Sequence, residues 1–99
     1  MKKIILALAF AISSMFAHTA LMSCFDNGDG SITCEGGFSD GSTAKGVKFH
    51  LIQGGKSVLE ETFNEDSEVT FKKPNGDFEV QFDAGEGHKV TIKSKDIAK

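Results

Sequence analysis

The sequence predicts an all-β fold, an antiparallel β-sandwich. Apolar and polar residues alternate in several short runs, which is the pattern of strands with one buried face. Turn signals rich in Gly, Asn and Asp separate these runs at roughly ten-residue spacing, as in sandwiches. No segment beyond residue 17 has a helical period. Phe, with 9 copies against no Trp or Tyr, supplies most of the aromatic core.

The N-terminal segment, MKKIILALAFAISSMFAHTA, has the organisation of a secretory signal peptide. Lys2 and Lys3 form a basic region, residues 4–12 form an apolar region, and small residues follow. We therefore predict a signal peptide at residues 1–17 and a β-sandwich domain at residues 18–99. Export to the periplasm follows from this assignment.

Three alternatives concern the same segment. Residues 4–22 are almost long enough for an uncleaved membrane anchor, although polar residues interrupt them. Cleavage after Ala20 instead of Ala17 would remove His18 from the mature chain. The sequence LMSC, ending at Cys24, partly resembles a lipobox, which would make that cysteine a lipid anchor.

The strands follow one another in the order of their alternating runs. The inward-facing residues of these runs are Ile32, Cys34, Gly36 and Phe38, then Val47, Phe49 and Leu51, then Val69 and Phe71, then Phe78, Val80 and Phe82, then Val90 and Ile92. Leu59 and Phe63 fit a weaker strand. Turns are predicted at residues 26–30, 39–46, 54–56, 64–66, 73–76 and 85–87. The predicted core consists of Phe38, Phe49, Phe71, Phe78, Val80, Phe82 and Val90.

Short turns between consecutive strands predict antiparallel neighbours, so the loops alternate between two ends of the sandwich. With the first strand running downwards, the loops at 39–46, 64–66 and 85–87 lie at the upper end, together with the mature N-terminus. The charged residues and histidines that this places at one end are His18, Asp40, Glu65, Asp66, Glu86 and His88.

The charge of the chain limits its partners. The sequence has no Arg and a net charge of −3, which becomes −5 when Lys2 and Lys3 leave with the signal peptide. Nucleic acid is not a predicted partner, because its binding requires cations that neutralise phosphates. An acidic surface favours solubility and weakly favours cations.

Cys24 and Cys34 are the two cysteines of the sequence. In an exported chain, an even number of cysteines predicts a disulfide. The pair flanks the DNGDG turn, where neighbouring strands bring Cβ atoms close enough to bridge. Their spacing differs from the Cys-x-x-Cys of thiol oxidoreductases, which argues against a redox-active pair.

Two histidines of the domain differ in their expected surroundings. His88 follows the turn at 85–87 and has the parity of Val90, so we expect it to point inward at the rim of the sandwich. There it is either a hydrogen-bonded structural residue or a ligand. His50 has the opposite parity to its apolar neighbours, and we expect a solvated surface residue.

Other motifs set limits on the chemistry. DNGDG fails the EF-hand pattern, since Gly28 and Gly30 stand where Asp or Asn ligands are needed. No Ser-His-Asp, P-loop or zincin motif is present, so we predict that the protein is not an enzyme. His18 becomes a strong ligand only as the first residue, because its free amine and Nδ1 can then chelate one Ni²⁺, Cu²⁺ or Co²⁺ ion.

Two stretches resemble one known family. CEGGFSDGSTAKGVKF (Cys34 to Phe49) and GGKSVLEETFNEDSEVTFKKPNGDFEVQFDAGEGHKV (Gly54 to Val90) are similar to the small periplasmic accessory component of energy-coupling-factor nickel/cobalt transporters. The matching positions are His18 after the signal peptide, the motif from Glu35 to Gly41, and Asp-Ala-Gly-x-Gly-His from Asp83 to His88. The segment LMSCFDNGDGSIT departs from the family's pattern. The sequence shows no C-terminal membrane helix, so we expect any link to a transporter to be non-covalent or through the N-terminus.

The resemblance implies an immunoglobulin-like or transthyretin-like sandwich with a role in metal uptake. We therefore predict a periplasmic accessory protein that binds or delivers nickel or cobalt, with copper as a further candidate. The predicted metal ligands are His18 and His88, with Asp40 or Glu86 as an oxygen ligand or supporting group. The predicted partner is the membrane component of a metal transporter, and the processed chain is not expected to span the membrane. The alternative is a metal-free β-sandwich adaptor in the periplasm.

Overall fold

The computed structural model describes residues 19–99, which form seven β-strands and a short 3-10 helix. The strands are β1 (Ala20–Asp26), β2 (Ser31–Phe38), β3 (Lys48–Gln53), β4 (Lys56–Thr62), β5 (Glu68–Lys72), β6 (Glu79–Asp83) and β7 (Lys89–Lys93), and the helix is Ser94–Asp96. Each predicted strand is present, and each predicted turn joins two of them. The predicted signal peptide at residues 1–17 lies outside the described residues.

The strands build two sheets that pack as a sandwich. One sheet has the order β1-β2-β5 and the other has the order β4-β3-β6-β7. Every neighbouring pair is antiparallel, as the short turns predict. The chain crosses between the sheets after β2, β4 and β5. The predicted all-β sandwich is confirmed.

Phenylalanine rings from both sheets form the centre of the core. Phe82 of β6 is fully buried, and its ring centroid lies 5.5 Å from that of Phe38 and 5.3 Å from that of Phe63. Phe49 contacts Phe63 and Phe71, at centroid distances of 5.9 and 5.4 Å. The rings meet edge-on or tilted, which is the arrangement that their quadrupoles favour.

The predicted core is largely correct. Five of its seven members are buried, namely Phe49, Phe71, Phe78, Val80 and Phe82. Phe38 and Val90 are only partly buried and pack against that core. Phe38 is the last residue of its strand, and Val90 is on an edge strand, so each is covered less completely.

Gly36 occupies an inward-facing position of β2, against the rings of Phe82 and Phe63. A Cβ atom at this position would lie 2.8 Å from Cε2 of Phe82 and 3.0 Å from Cε2 of Phe63. Both distances are well inside the optimal separation of carbon atoms. The two rings therefore leave room for a hydrogen atom but not for a methyl group.

We expect Gly36→Ala to lower the free energy of unfolding by about 1–3 kcal/mol, because two buried rings would have to move. Urea denaturation measures this change. Gly37→Ala is the matched control, since its added Cβ would meet only the carbonyl oxygen of Ser42, at 3.6 Å. Equal stability of the two variants would contradict the close approach of Phe82 to β2.

β4 is one of the two edge strands of the four-stranded sheet. Its register with β3 shifts between Leu51 and Ile52, so Val58 has no partner and is 55% exposed. Such bulges twist an edge strand and disfavour pairing with another chain. The weaker strand predicted around Leu59 is this edge strand, and Phe63, immediately after it, is buried in the core.

β1 is an edge strand of the three-stranded sheet, and it is bonded to other parts of the chain on both sides. Cys24 lies directly opposite Cys34 of β2, and the two form the predicted disulfide, with Cα atoms 4.0 Å apart. On the other side, the N–H of Ala98 donates to the carbonyl of Cys24 (3.3 Å), and the N–H of Asp26 donates to the carbonyl of Ala98 (2.7 Å). The C-terminal segment thus covers the lower part of the β1 edge.

The loops predicted to share one end of the sandwich do so. We call this the upper end; it consists of Thr19 and the loops at 39–47, 63–67 and 84–88. The N–H of Ser39 donates to the carbonyl of Thr19 (2.9 Å), and the N–H of Thr19 donates to the hydroxyl of Ser39 (3.1 Å). The start of the described chain is therefore attached to the first of these loops.

The loop at 63–67 is hydrogen-bonded to the loop at 39–47, and the loop at 84–88 follows a strand that pairs with β3. The hydroxyl of Ser67 accepts the N–H of Ala44 at 2.9 Å. Ser67 has a φ of 62°, a left-handed conformation in a non-glycine residue. Asp83, which precedes the loop at 84–88, pairs in register with Lys48 at the start of β3.

Candidate functional site

The upper end carries the described members of the predicted metal site. His18 lies outside the described residues. Asp40 follows Ser39, the residue that is hydrogen-bonded to Thr19. Glu86 and His88 are in the loop between β6 and β7.

Asp40 shapes its own loop. Its Oδ1 accepts hydrogen bonds from the N–H (2.9 Å) and the hydroxyl (2.6 Å) of Ser42. Such bonds to a residue two positions ahead are typical of Asp in turns. The carboxylate is thereby fixed beside the point where the chain enters the sandwich, which suits either an oxygen ligand or a group that supports one.

A three-residue turn, Gly85–Gly87, presents Glu86 and His88. The N–H of Ala84 donates to the carbonyl of His88, and the N–H of His88 donates to the carbonyl of Gly85, both at 3.0 Å. Gly87 has a φ of 80°, which glycine adopts without strain. The hairpin turn predicted here is therefore present.

The prediction that His88 points inward is wrong. His88 is exposed, because it belongs to the turn and not to β7, which begins at Lys89. The alternation of inward and outward side chains applies within a strand. Within residues 19–99, the imidazole of His88 forms no hydrogen bond. Its ring nitrogens are consequently not committed to the fold.

Among residues 19–99, no three His, Cys, Asp or Glu side chains are grouped so that they could hold a metal ion. Asp40, Glu86 and His88 share an end of the sandwich without forming such a group. A site with three or more protein ligands at this end would need a ligand from before Thr19, and His18 is the predicted source.

A second cluster, which the sequence did not reveal, surrounds His50 on the outer face of the four-stranded sheet. The Nε2 atom of His50 lies 3.0 Å from Oδ2 of Asp83 on β6, and its Nδ1 atom lies 3.5 Å from Oε2 of Glu60 on β4. The hydroxyl of Ser57 on β4 is also 3.5 Å from Nδ1. The side chain of His50 is only 15% exposed, so the expectation of a solvated surface residue is wrong. Its partners come from strands on both sides of β3, which the pattern of β3 alone does not specify.

Asp83 links this cluster to the turn that carries His88. Its Oδ1 accepts the N–H of Gly85 at 3.0 Å, while its Oδ2 faces His50. The bond from Gly85 and, next, the bond from His50 hold the pKa of Asp83 below its usual range. The carboxylate is therefore ionised at neutral pH. Its contribution to stability is present above the unfolded pKa and is lost as the pH falls through the lower folded pKa.

Ser57, His50 and Asp83 are the residue types of a catalytic triad, but their geometry is not that of one. The hydroxyl of Ser57 lies 3.5 Å from Nδ1, a weak hydrogen bond that is longer than a nucleophile–base contact. Glu60 faces the same nitrogen, and the hydroxyl of Ser57 is also 3.4 Å from the carbonyl of Leu59. We therefore assign no nucleophile here.

Both carboxylates of the DNGDG turn accept hydrogen bonds from other residues of the chain. Asp26 accepts the ammonium of Lys73 (2.8 Å) and the N–H of Gly28 (2.9 Å), which together lower its pKa. Asp29 accepts the hydroxyl (2.6 Å) and the N–H (3.0 Å) of Ser31, and these bonds lower the pKa of Asp29. The turn is a hairpin loop, as predicted.

No family model, curated protein or solved structure matches the chain. The resemblance to components of nickel/cobalt transporters therefore stays a prediction, based on the motifs at 35–41 and 83–88. Within residues 19–99, no helix has the length and apolar character needed to cross a membrane. The buried disulfide is of the kind found in exported proteins.

Proposed function

We propose that the processed protein binds a divalent transition metal ion, nickel or cobalt first, at the upper end of the sandwich. The observation that carries this proposal is the pair of hydrogen bonds between Thr19 and Ser39, at 2.9 and 3.1 Å. They fix the residue next to His18 at the end of the sandwich that also carries His88. This supports a site shared by the mature N-terminus and the turn between β6 and β7.

The chemistry of the donors suits these metals. When His18 is the first residue, its amine and Nδ1 can close a six-membered chelate ring. His88 adds a second imidazole, and Asp40 or Glu86 adds an oxygen. Nitrogen donors of this kind suit Ni²⁺, Co²⁺ and Cu²⁺. His88 fits the role because it is exposed, on a turn that backbone hydrogen bonds hold in place.

We further propose that the metal-loaded protein delivers its ion to the membrane component of an uptake system. The family resemblance is the ground for this extension. A metal bound at the end of a sandwich, with ligands from a chain terminus and an exposed turn, can be released by moving either ligand. Such a site suits transfer better than a buried one.

Titration calorimetry of the processed protein with Ni²⁺, Co²⁺ and Cu²⁺ tests the proposal. We expect one site, which is lost when one extra residue precedes His18 and is weakened in His88→Ala. Binding should also weaken as the pH falls toward and below about 6.5, the unperturbed histidine pKa, because ligand imidazoles must be neutral.

The controls distinguish the loss of a metal ligand from the loss of a negative charge at the upper end. Glu86→Gln is compared with Glu65→Gln, which removes a carboxylate from the same end, where it pairs with Lys45 at 3.6 Å. N-terminal sequencing must first show that the processed chain begins at His18. If the extended protein and His88→Ala bind all three ions as tightly as the parent, the metal function is rejected and the metal-free adaptor takes its place.

A further inference from the structure

We propose that His50 is a proton-operated latch, which fastens the edge strand β4 to the rest of the four-stranded sheet. The protonated imidazole binds Glu60, and the neutral imidazole binds Ser57 instead. Asp83 holds the other ring nitrogen in both states. The latch does not require a bound metal ion.

Asp83 determines which nitrogen of His50 gains and loses the proton. Its Oδ2 lies 3.0 Å from Nε2, and an ionised carboxylate can only accept a hydrogen bond. Nε2 therefore carries a hydrogen in both states of the ring. Asp83 is itself fixed by the N–H of Gly85, 3.0 Å from its Oδ1. Protonation consequently takes place at Nδ1, the nitrogen that faces β4.

Nδ1 has two partners on β4, and they require opposite protonation states. Oε2 of Glu60 and the hydroxyl oxygen of Ser57 both lie 3.5 Å from it. The carboxylate of Glu60 forms an ion pair with the ring only when the ring is protonated, whereas the hydroxyl of Ser57 can donate to the lone pair of the neutral ring. When the ring is protonated, the Ser57 hydroxyl can turn to the carbonyl of Leu59, 3.4 Å away. In both protonation states of His50, the ring N–H groups and the hydroxyl of Ser57 therefore have acceptors.

The two partners lie on opposite sides of the bulge in β4. Glu60 pairs in register with His50, Ser57 pairs with Ile52, and the bulged residue Val58 lies between them. Protonation therefore adds a charged contact on the regular side of the bulge, and deprotonation moves the contact to the irregular side. Because β4 has a neighbour on one side only, this contact bears directly on how often the strand opens.

The charged groups around His50 come from every strand of its sheet. Glu60 of β4 and Asp83 of β6 contact the ring directly. Lys48 of β3 and Lys89 of β7 pair in register with Asp83 and not with His50. The residue of β6 that pairs with His50 is Gln81, which is uncharged. Of these charged groups, Glu60 is the one that lies against Nδ1.

Hydrogen exchange of the processed protein, followed by NMR at about pH 5.5 and about pH 8, tests the latch over the range in which histidine side chains generally change charge. After correction for intrinsic rates, β4 amides should be about two- to five-fold more protected at the lower pH, the range of an exposed charge pair. β6 amides should not change. The ¹⁵N resonances of His50 should show a hydrogen on Nε2 at both pH values and on Nδ1 only at the lower one.

Three variants separate the latch from a general effect of pH. Glu60→Gln should abolish the extra protection at low pH, whereas Ser57→Ala should lower protection only at high pH. Glu61→Gln is the matched control, since it removes the next carboxylate of β4, which pairs with Phe49 and not with His50. Two results would overturn the proposal. One is the same pH dependence in Glu60→Gln and Glu61→Gln; the other is loss of the hydrogen from Nε2 as the pH rises.

Discussion

Phe82→Ala is expected to lower the free energy of unfolding by about 3–5 kcal/mol, one of the two largest effects that we predict for this chain. The ring is fully buried between the sheets, in contact with Phe38 and Phe63. Its removal leaves a cavity that the facing strand cannot fill, because Gly36 has no side chain. A domain of this size has about 5–15 kcal/mol of stability in all, so much of it would be lost. Urea denaturation and the melting temperature measure the effect.

Val90→Ala is the control for this experiment. Val90 pairs in register with Phe82 on the neighbouring strand, but it is only partly buried. We expect a clearly smaller loss, because fewer contacts are removed. An unchanged melting temperature of Phe82→Ala would mean that the inward parity assigned to β6 is wrong.

A double variant tests the contact between Phe82 and β2 directly. Gly36→Ala alone introduces a clash with the ring, and Phe82→Ala alone leaves a cavity beside Gly36. In the double variant the new methyl group would occupy part of that cavity. The combined loss of stability should therefore be smaller than the sum of the two single losses, as is common for residues in contact.

The sequence was sufficient for features that depend on one strand at a time. Alternation identified the inward positions of β2 and β6, including Gly36 and Phe82, because a strand sends successive side chains to opposite faces. Short turns implied antiparallel neighbours and, from these, the loops at the upper end. The disulfide was predictable because Cys24 and Cys34 flank a tight hairpin. Their pairing could therefore be inferred without knowing where the other strands lie.

Features that depend on the order of strands within a sheet were not predictable in this way. His50 contacts Glu60 and Asp83 because β3 lies between β4 and β6, and Asp83 is 33 residues away along the chain. Nothing in the pattern of β3 indicates either neighbour. His50→Ala would remove a hydrogen-bond partner of Asp83, the residue that precedes the turn of His88. The error at His88 has a different origin, since alternation was extended past the end of a strand into a turn.

Removal of the Cys24–Cys34 disulfide is the second large effect that we expect. The bond closes a loop with a sequence separation of 10, for which the loop-entropy model gives about 2–3 kcal/mol. Both cysteines are also buried, so replacing them with alanine removes packing as well. Stability should therefore fall in the order oxidised protein, reduced protein, then the Cys24→Ala/Cys34→Ala double variant.

The loss should also have a local component in β1. This strand is paired with β2 on one side, while on its other side the described contact is the short one with Ala98. Once the disulfide is reduced, the amides of β1 should exchange faster by a larger factor than those of β6, which has neighbours on both sides. Intact mass before and after reduction establishes the bond in protein isolated without reductant, and two free thiols in that protein would reject it. If reduction lowers the melting temperature but β1 and β6 lose protection equally, the bond acts only on the unfolded chain. A larger loss of protection in β1 would show that the disulfide also holds β1 in place in the folded protein. Because β1 begins next to Thr19, the disulfide would then also support the end of the sandwich where the metal site is proposed.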